Sequence, residues 1–155
     1  MQAIHFLNIS VFEKRRRRLL MAGALVALAA CGQPSDPQAA LDAAVQRLQA
    51  ALEAKDADAV LDLLDPRFRA QDELDREWAR KTMALMFLRY AQVKVIAVTR
   101  SSRVDAAGAR TGRTEAQVLI TGAQGLIPER AAPYAVELQW WREGDDWKLR
   151  DLRWE

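Results

Sequence analysis

Few residues in this chain of 155 can do covalent or acid–base chemistry, and most are disposed of by position. There is one cysteine, Cys31, and one histidine, His5. Cys31 lies in the run Leu28-Ala29-Ala30-Cys31-Gly32, whose small residues leave the backbone before it open to a peptidase. Beyond residue 31 there is no histidine and no second thiol. Metal sites built on His or Cys, Cys–His and Ser–His catalysis, and a disulfide within one chain are therefore excluded there. Proton transfer is left to tyrosine and carboxylate. Tyr90 and Tyr134 are the only tyrosines, and no paired carboxylates stand at a recognisable spacing.

The elements ahead of Cys31 explain its setting. Lys14 to Arg18 carry five positive charges, and Leu19 to Ala30 is an apolar run of twelve residues. That length suits a signal-peptide core, whereas a membrane-spanning helix needs roughly 20 apolar residues. Leu28-Ala29-Ala30-Cys31 resembles the lipobox of bacterial lipoproteins. The resemblance implies acylation of the Cys31 sulfur with palmitate-type chains, cleavage before Cys31 and acylation of the new amino terminus. Several chains anchor firmly where a single one is marginal. Gly32 rather than Asp follows the cysteine, and in lipoproteins of enteric-type bacteria the resemblance then implies sorting to the outer membrane, facing the periplasm. An ordinary cleaved signal or an uncleaved anchor is the plainer reading. Arg16-Arg17-Arg18-Leu19-Leu20 also fits a twin-arginine export pattern, which any run of four arginines satisfies.

The expected organisation is a signal peptide over 1–31, a polar linker over 32–37 and one domain over 38–155. Six linker residues reach at most roughly 20 Å, so the domain is expected close to the membrane. Residues 32–155 hold 18 basic and 20 acidic residues, a net charge of −2. The basic balance of the whole chain is an effect of the leader and does not point to nucleic acid.

Leu41, Val45, Leu48 and Leu52 recur at helical spacing and predict a helix over 38–54. Asp56 can cap a second helix over 57–64, which Asp65-Pro66 ends; Phe68 then anchors a turn. A third helix is predicted over 72–91, starting near Gln71 or Asp72. Its half from Met83 to Tyr90 is apolar nearly all round and is expected to be buried on more than one side. From Val93 the pattern changes to strands, with a turn at Asp105–Gly108 and alternation over Thr114–Thr121. A long loop over Gly122–Pro133 and alternation from Tyr134 follow, with a tight turn at Glu143–Asp146. Trp147 and Leu149 share one phase while Leu152 and Trp154 take the other, which predicts a bulge near Arg150-Asp151. Helices followed by a four-stranded antiparallel meander make an α+β layout, with the helices packed on one face of a curved sheet.

This order resembles the nuclear transport factor 2-like superfamily, whose α+β cone is shared with ketosteroid isomerase and polyketide-cyclase-like proteins. The residues that carry the likeness are Leu52 to Leu64 with Phe68, and the closing segment Trp140 to Trp154. The resemblance implies a pocket at the cone's open end. Trp78, Met83, Phe87, Tyr90, Tyr134, Leu138 and Trp140 are expected nearest it, either as plain core or as the wall of a site for a small apolar ligand. Arg89 or Glu137 could add a charge there. The isomerases of this superfamily use tyrosine and acidic groups and its dehydratases lean on histidine, and neither set is recognisable here. No catalytic residue, metal or cofactor is assigned. Leu119 and Trp141 are expected on the outer sheet face, where the superfamily often dimerises, and Leu126-Ile127 form a second apolar pair that would cover the mouth or touch the membrane. Arg67, Arg69, Arg76, Arg80 and Lys81 interleave with acids and read as a solvated helix face. The function that follows is a membrane-anchored binding or assembly module without catalysis. The alternative is an isomerase- or dehydratase-like enzyme pairing a tyrosine with Asp or Glu on an apolar substrate.

Overall fold

The computed structural model describes residues 36–105, 110–122, 125–126 and 133–155. The leader, the lipobox at Cys31 and residues 32–35 of the expected linker lie outside the described residues. So do Ile127 and 106–109 of the expected Asp105–Gly108 turn.

Each helix starts at an aspartate. Asp36 accepts a hydrogen bond from the Gln38 amide and Pro37 occupies the first turn, so helix α1 spans Pro37–Ala54 and takes in the last residue of the expected linker. Its stripe Leu41, Ala44, Val45, Leu48 and Ala51 is buried. Asp56 accepts from the Ala59 amide at 3.0 Å and opens α2, Ala57–Leu63. Both helices end within one residue of their expected spans. Helix α3 is shorter than expected, Arg76–Arg89. Gln71 and Asp72 adopt left-handed backbone, with φ of 49° and 65°, and turn the chain. Asp75 caps the helix instead, accepting from the Trp78 amide at 3.0 Å. The second half of α3 is not buried all round. Met83 is buried, whereas Leu85 is 60% and Leu88 87% exposed. The reason is that α3 packs against α2 and β1 on one side only.

The strands are β1 (Leu64–Ala70), β2 (Val93–Val104), β3 (Thr111–Gly122), β4 (Gly125–Leu126), β5 (Tyr134–Glu143) and β6 (Asp146–Trp154). They form one curved sheet in the order β1-β6-β5-β3-β2, and β4 pairs with β3. The expected antiparallel meander is β2-β3-β5-β6. The sheet departs from four strands through the two-residue β4 and through β1, which runs parallel to β6 and contains the Asp65-Pro66 and Phe68 read as a helix stop and a turn. An outermost strand tolerates proline because half its amides need no partner. The bulge in β6 lies where the phase switch put it: Gln139 pairs with Asp151 and Trp140 with Leu149, so Arg150 is the extra residue.

The helices cover one face of the sheet. Phe68, Trp140, Trp147 and Leu149 are each at most 2% exposed and meet the α1 stripe in one core. Among the described residues this core runs from Leu41 to Leu149 and lies inside the compact unit Ser35–Glu155. Helix α1 docks tightly on β3 at Gly112, where a Cβ would stand 2.8 Å from Leu41 Cδ2.

Three α1 side chains bond the backbone of β2. Gln38 Nε2 donates to Ser102 O and Gln38 Oε1 accepts from Val104 N, at 3.1 Å each. Gln49 Nε2 donates to Val95 O at 2.9 Å, and Glu53 Oε1 accepts from Val95 N at 3.0 Å. That amide, and after it the Lys94 ammonium, hold the Glu53 carboxyl below its ordinary value of 4.5. A carboxyl lowered on folding stabilises the fold above its unfolded pKa, and the gain is lost as pH falls through the folded one. Glu53→Gln is therefore expected to cost on the order of 1 kcal/mol at pH 7. It should also flatten the loss of stability below about pH 4.5. Urea unfolding at stepped pH checks this, and superimposable pH profiles for the two proteins would contradict it.

Candidate ligand cavity

The cone is solid at one end and hollow at the other. At the solid end Trp147 Nε1 donates to the Pro37 carbonyl at the start of α1, and Trp140, paired with Gly112, donates its Nε1 to Thr114 Oγ1 at 3.2 Å. Toward the other end of the sheet a cavity of about 500 Å³ opens between α1, α3 and the inner face. That volume lies within the usual range for small-molecule sites, roughly 300–1,000 Å³.

Its walls follow from strand alternation. Thr114, Ala116, Val118 and Ile120 of β3 and Tyr134, Val136 and Leu138 of β5 face inward. Val45, Leu48 and Leu52 of α1 and Trp78, Met83, Met86 and Phe87 of α3 close it from the helix side. Trp78 lies nearly parallel to Trp154 of β6, ring centroids 6.1 Å apart and planes 12° apart. Among the described lining residues the polar side chains are Gln49, Thr82, Thr114, Tyr134 and Arg100, and none is a carboxylate.

Of the residues expected near this space, Trp78, Met83, Phe87, Tyr134 and Leu138 line it. Two expectations are corrected. Trp140 is absent from the wall: it lies beyond Leu138 toward the solid end, where α1 closes on Gly112, and is 1% exposed as plain core. Tyr90 is also absent from the wall, because α3 ends at Arg89 and the chain leaves it in extended conformation. The Arg89 guanidinium sits over the Tyr90 ring at 5.6 Å, and Lys55 Nζ holds the Phe87 and Tyr90 carbonyls at 2.9 and 3.0 Å. Neither Arg89 nor Glu137 supplies a charge to the cavity; Glu137 faces outward and pairs with Arg113 at 3.4 Å. The buried carboxylate Asp65 also lies elsewhere, its Oδ1 accepting from the Arg67 amide at 2.7 Å.

One lining residue carries no signal in the sequence. Ala97 pairs with Val118 and Thr99 with Gln117, so Val98 is an extra residue in β2. This bulge reverses the alternation and turns Arg100 to the inner face.

Leu119 and Trp141 both lie on the outer face, but in no shared patch. Trp141 pairs with Thr111 at one end of β3, and Leu119 is eight residues further along, roughly 25 Å away. Leu119 pairs with Ile96, and the Arg150 guanidinium covers the Trp141 ring at 4.6 Å. In the basic group around α3, Arg80 and Lys81 pair with Glu77, and Arg76 donates to the Leu61 carbonyl.

No protein-family model and no curated protein matches the chain. Solved structures do. Bd1075 of Bdellovibrio bacteriovorus is 13% identical with a TM-score of 0.64, over 74% of this chain and 40% of that longer one. A candidate dehydratase of the NTF2-like family from Streptomyces avermitilis is 14% identical with a TM-score of 0.62, over 79% and 96% of the two chains. The hexachlorocyclohexane dehydrochlorinase LinA-type3 from Novosphingobium barchaimii is 12% identical with a TM-score of 0.57, over 76% and 84%. At such identities the likeness establishes the nuclear transport factor 2-like cone, which hosts many activities, and leaves the activity open.

Proposed function

We propose that this cone is the binding module of a lipid-anchored envelope protein, holding a small apolar molecule without converting it. The observation that carries the reading is the character of the cavity wall: it is apolar over nearly all its extent and, among the described residues, has no carboxylate or histidine. General acid–base catalysis draws most often on such a group within hydrogen-bond reach of the substrate, and Tyr134 is the one titratable acid in the described wall. The alternative is an isomerase- or dehydratase-like enzyme. It is favoured by solved structures of this fold described as a dehydratase and a dehydrochlorinase. It would have to work from Tyr134 without an acidic partner in the described wall.

Anchoring completes the proposal. Residues 1–31 serve as a lipoprotein signal, 32–37 as a short linker and 38–155 as the cone. Acylated Cys31 holds the domain at the outer membrane on its periplasmic side. A homodimer, where one forms, uses the outer sheet face.

The two halves are tested in one preparation. Native mass spectrometry of the protein purified from membranes is expected to show an adduct of a few hundred daltons. Turnover of the adduct's parent molecule, lost in Tyr134→Phe, would overturn the reading in favour of the enzyme. Cys31→Ser is expected to abolish labelling by a palmitate analogue and leave an unprocessed precursor; normal labelling of that variant would rule out the anchor.

A further inference from the structure

We infer that the cavity's ligand is an amphiphile with an anionic head, a carboxylate or phosphate monoester on an apolar chain, and that Arg100 receives the head. The inference rests on the binding reading above and assigns its ligand class. Arg100 is the only charged residue among the described lining residues, and it is exposed, so its stem lies against the cavity while its guanidinium keeps contact with water at the rim. Its inward direction is imposed by the Val98 bulge. Opposite it on β3 stands Ala116, followed across the sheet by Val136 and Trp154, so the residue beside the stem is small and the floor beyond it apolar.

Elsewhere in the sheet Arg69 donates to the Phe68 carbonyl and Arg150 covers Trp141, and the remaining strand arginines pair with carboxylates, Arg67 with Asp65 among them. Arg103 pairs with Glu115, Arg113 with Glu137, Arg142 with Asp145 and Arg153 with Asp72. The ion pairs among the described residues do not include Arg100, and no acid shares its wall. A guanidinium presents forked donors that match the two oxygens of a carboxylate or phosphate. An apolar chain below such a fork is the complementary shape: its methylenes fill the hollow end of the cone while the head stays at the water boundary.

The test uses the full chain in detergent-free lipid nanodiscs and the neutral fluorophore N-phenyl-1-naphthylamine, displaced by decanoate, decyl phosphate or decanol below their micellar concentrations, with empty nanodiscs as the blank. Decanoate or decyl phosphate is expected to displace the probe at about tenfold lower concentration than decanol, as one charge-assisted hydrogen-bonded pair at a wet rim allows. The better of the two identifies the head. Arg100→Gln is expected to erase that advantage while leaving the decanol and probe midpoints in place, and Arg100→Lys to retain part of it. Each further methylene should tighten binding about fourfold. Equal midpoints for the anions and decanol, or an anion advantage that survives Arg100→Gln, overturns the inference and leaves the binding reading standing. Absence of binding by all four compounds in calorimetry overturns both.

Discussion

Trp140→Ala is expected to lower the unfolding free energy of the domain by about 3–5 kcal/mol, more than truncation of a smaller core side chain such as a valine should cost. The side chain is 1% exposed, sits where α1 closes on the sheet, and shares its core with Trp147 and Leu41. Its loss would leave a void in the solid end, which α1 has little freedom to fill because it already touches β3 at Gly112. The hydrogen bond is the smaller part of the cost. Thr114 Oγ1, the acceptor of Trp140 Nε1, also meets Ser102 Oγ at 3.0 Å and so keeps a partner. Trp140→Phe is accordingly expected to cost only about 1–2 kcal/mol. Against a typical total of about 5–15 kcal/mol, the alanine variant should unfold at visibly lower urea with an unchanged slope. A loss below about 1 kcal/mol would mean that the solid end does not hold the fold together.

Ala116→Trp is expected to do the reverse: to remove binding and spare the fold. Ala116 faces the hollow end from the middle of β3, beside Arg100 and Val136. A tryptophan there would enter existing space in place of a ligand. Filling a cavity commonly adds about 0.5–2 kcal/mol to stability. Affinity for the neutral fluorophore should fall by at least about tenfold, since each methylene-sized group denied burial costs about 0.8 kcal/mol. Fluorescence titration and urea unfolding of the same sample separate the two effects. Unchanged probe affinity would show that the probe binds elsewhere; lost stability would show that the space is too tight for the new ring.

The contrast between these substitutions marks where sequence reading reached its limit. The apolar spacing of Leu41, Val45, Leu48 and Leu52 and the cap at Asp56 were clear signals, and the first two helices could be drawn to within a residue. Asp72, Glu73 and Asp75 are three acids in one short run, any of which could open α3, and only the left-handed backbone at Gln71 and Asp72 selects the last. The β6 bulge was legible because aromatic and polar residues mark its two faces, so the change of phase shows. The β2 bulge was not, because Val95, Ile96, Ala97 and Val98 are apolar on both faces and a slip among them leaves no trace. Arg100 was hidden for the same reason. Pattern could nominate Trp78, Met83, Phe87, Tyr134, Leu138 and Trp140 alike as inward-facing. It could not say that the first five surround open space and the sixth fills it, since that depends on how closely α1 approaches each part of the sheet.

The hydrogen bonds from α1 to β2 bear on how copies of this domain meet. An unpaired strand edge invites another chain to add to it, and the hazard grows where molecules are crowded together. Along β2, Gln38, Gln49 and Glu53 occupy groups at Val95, Ser102 and Val104, and the stretch between is broken by the Val98 bulge. At the opposite margin Pro66 has no amide hydrogen, the Arg67 amide is turned onto Asp65, and the end of β1 folds back through the Ala70–Leu74 pair. Both margins thus resist recruitment into a continuous sheet. Edge-to-edge polymerisation of this cone through either margin is thereby disfavoured.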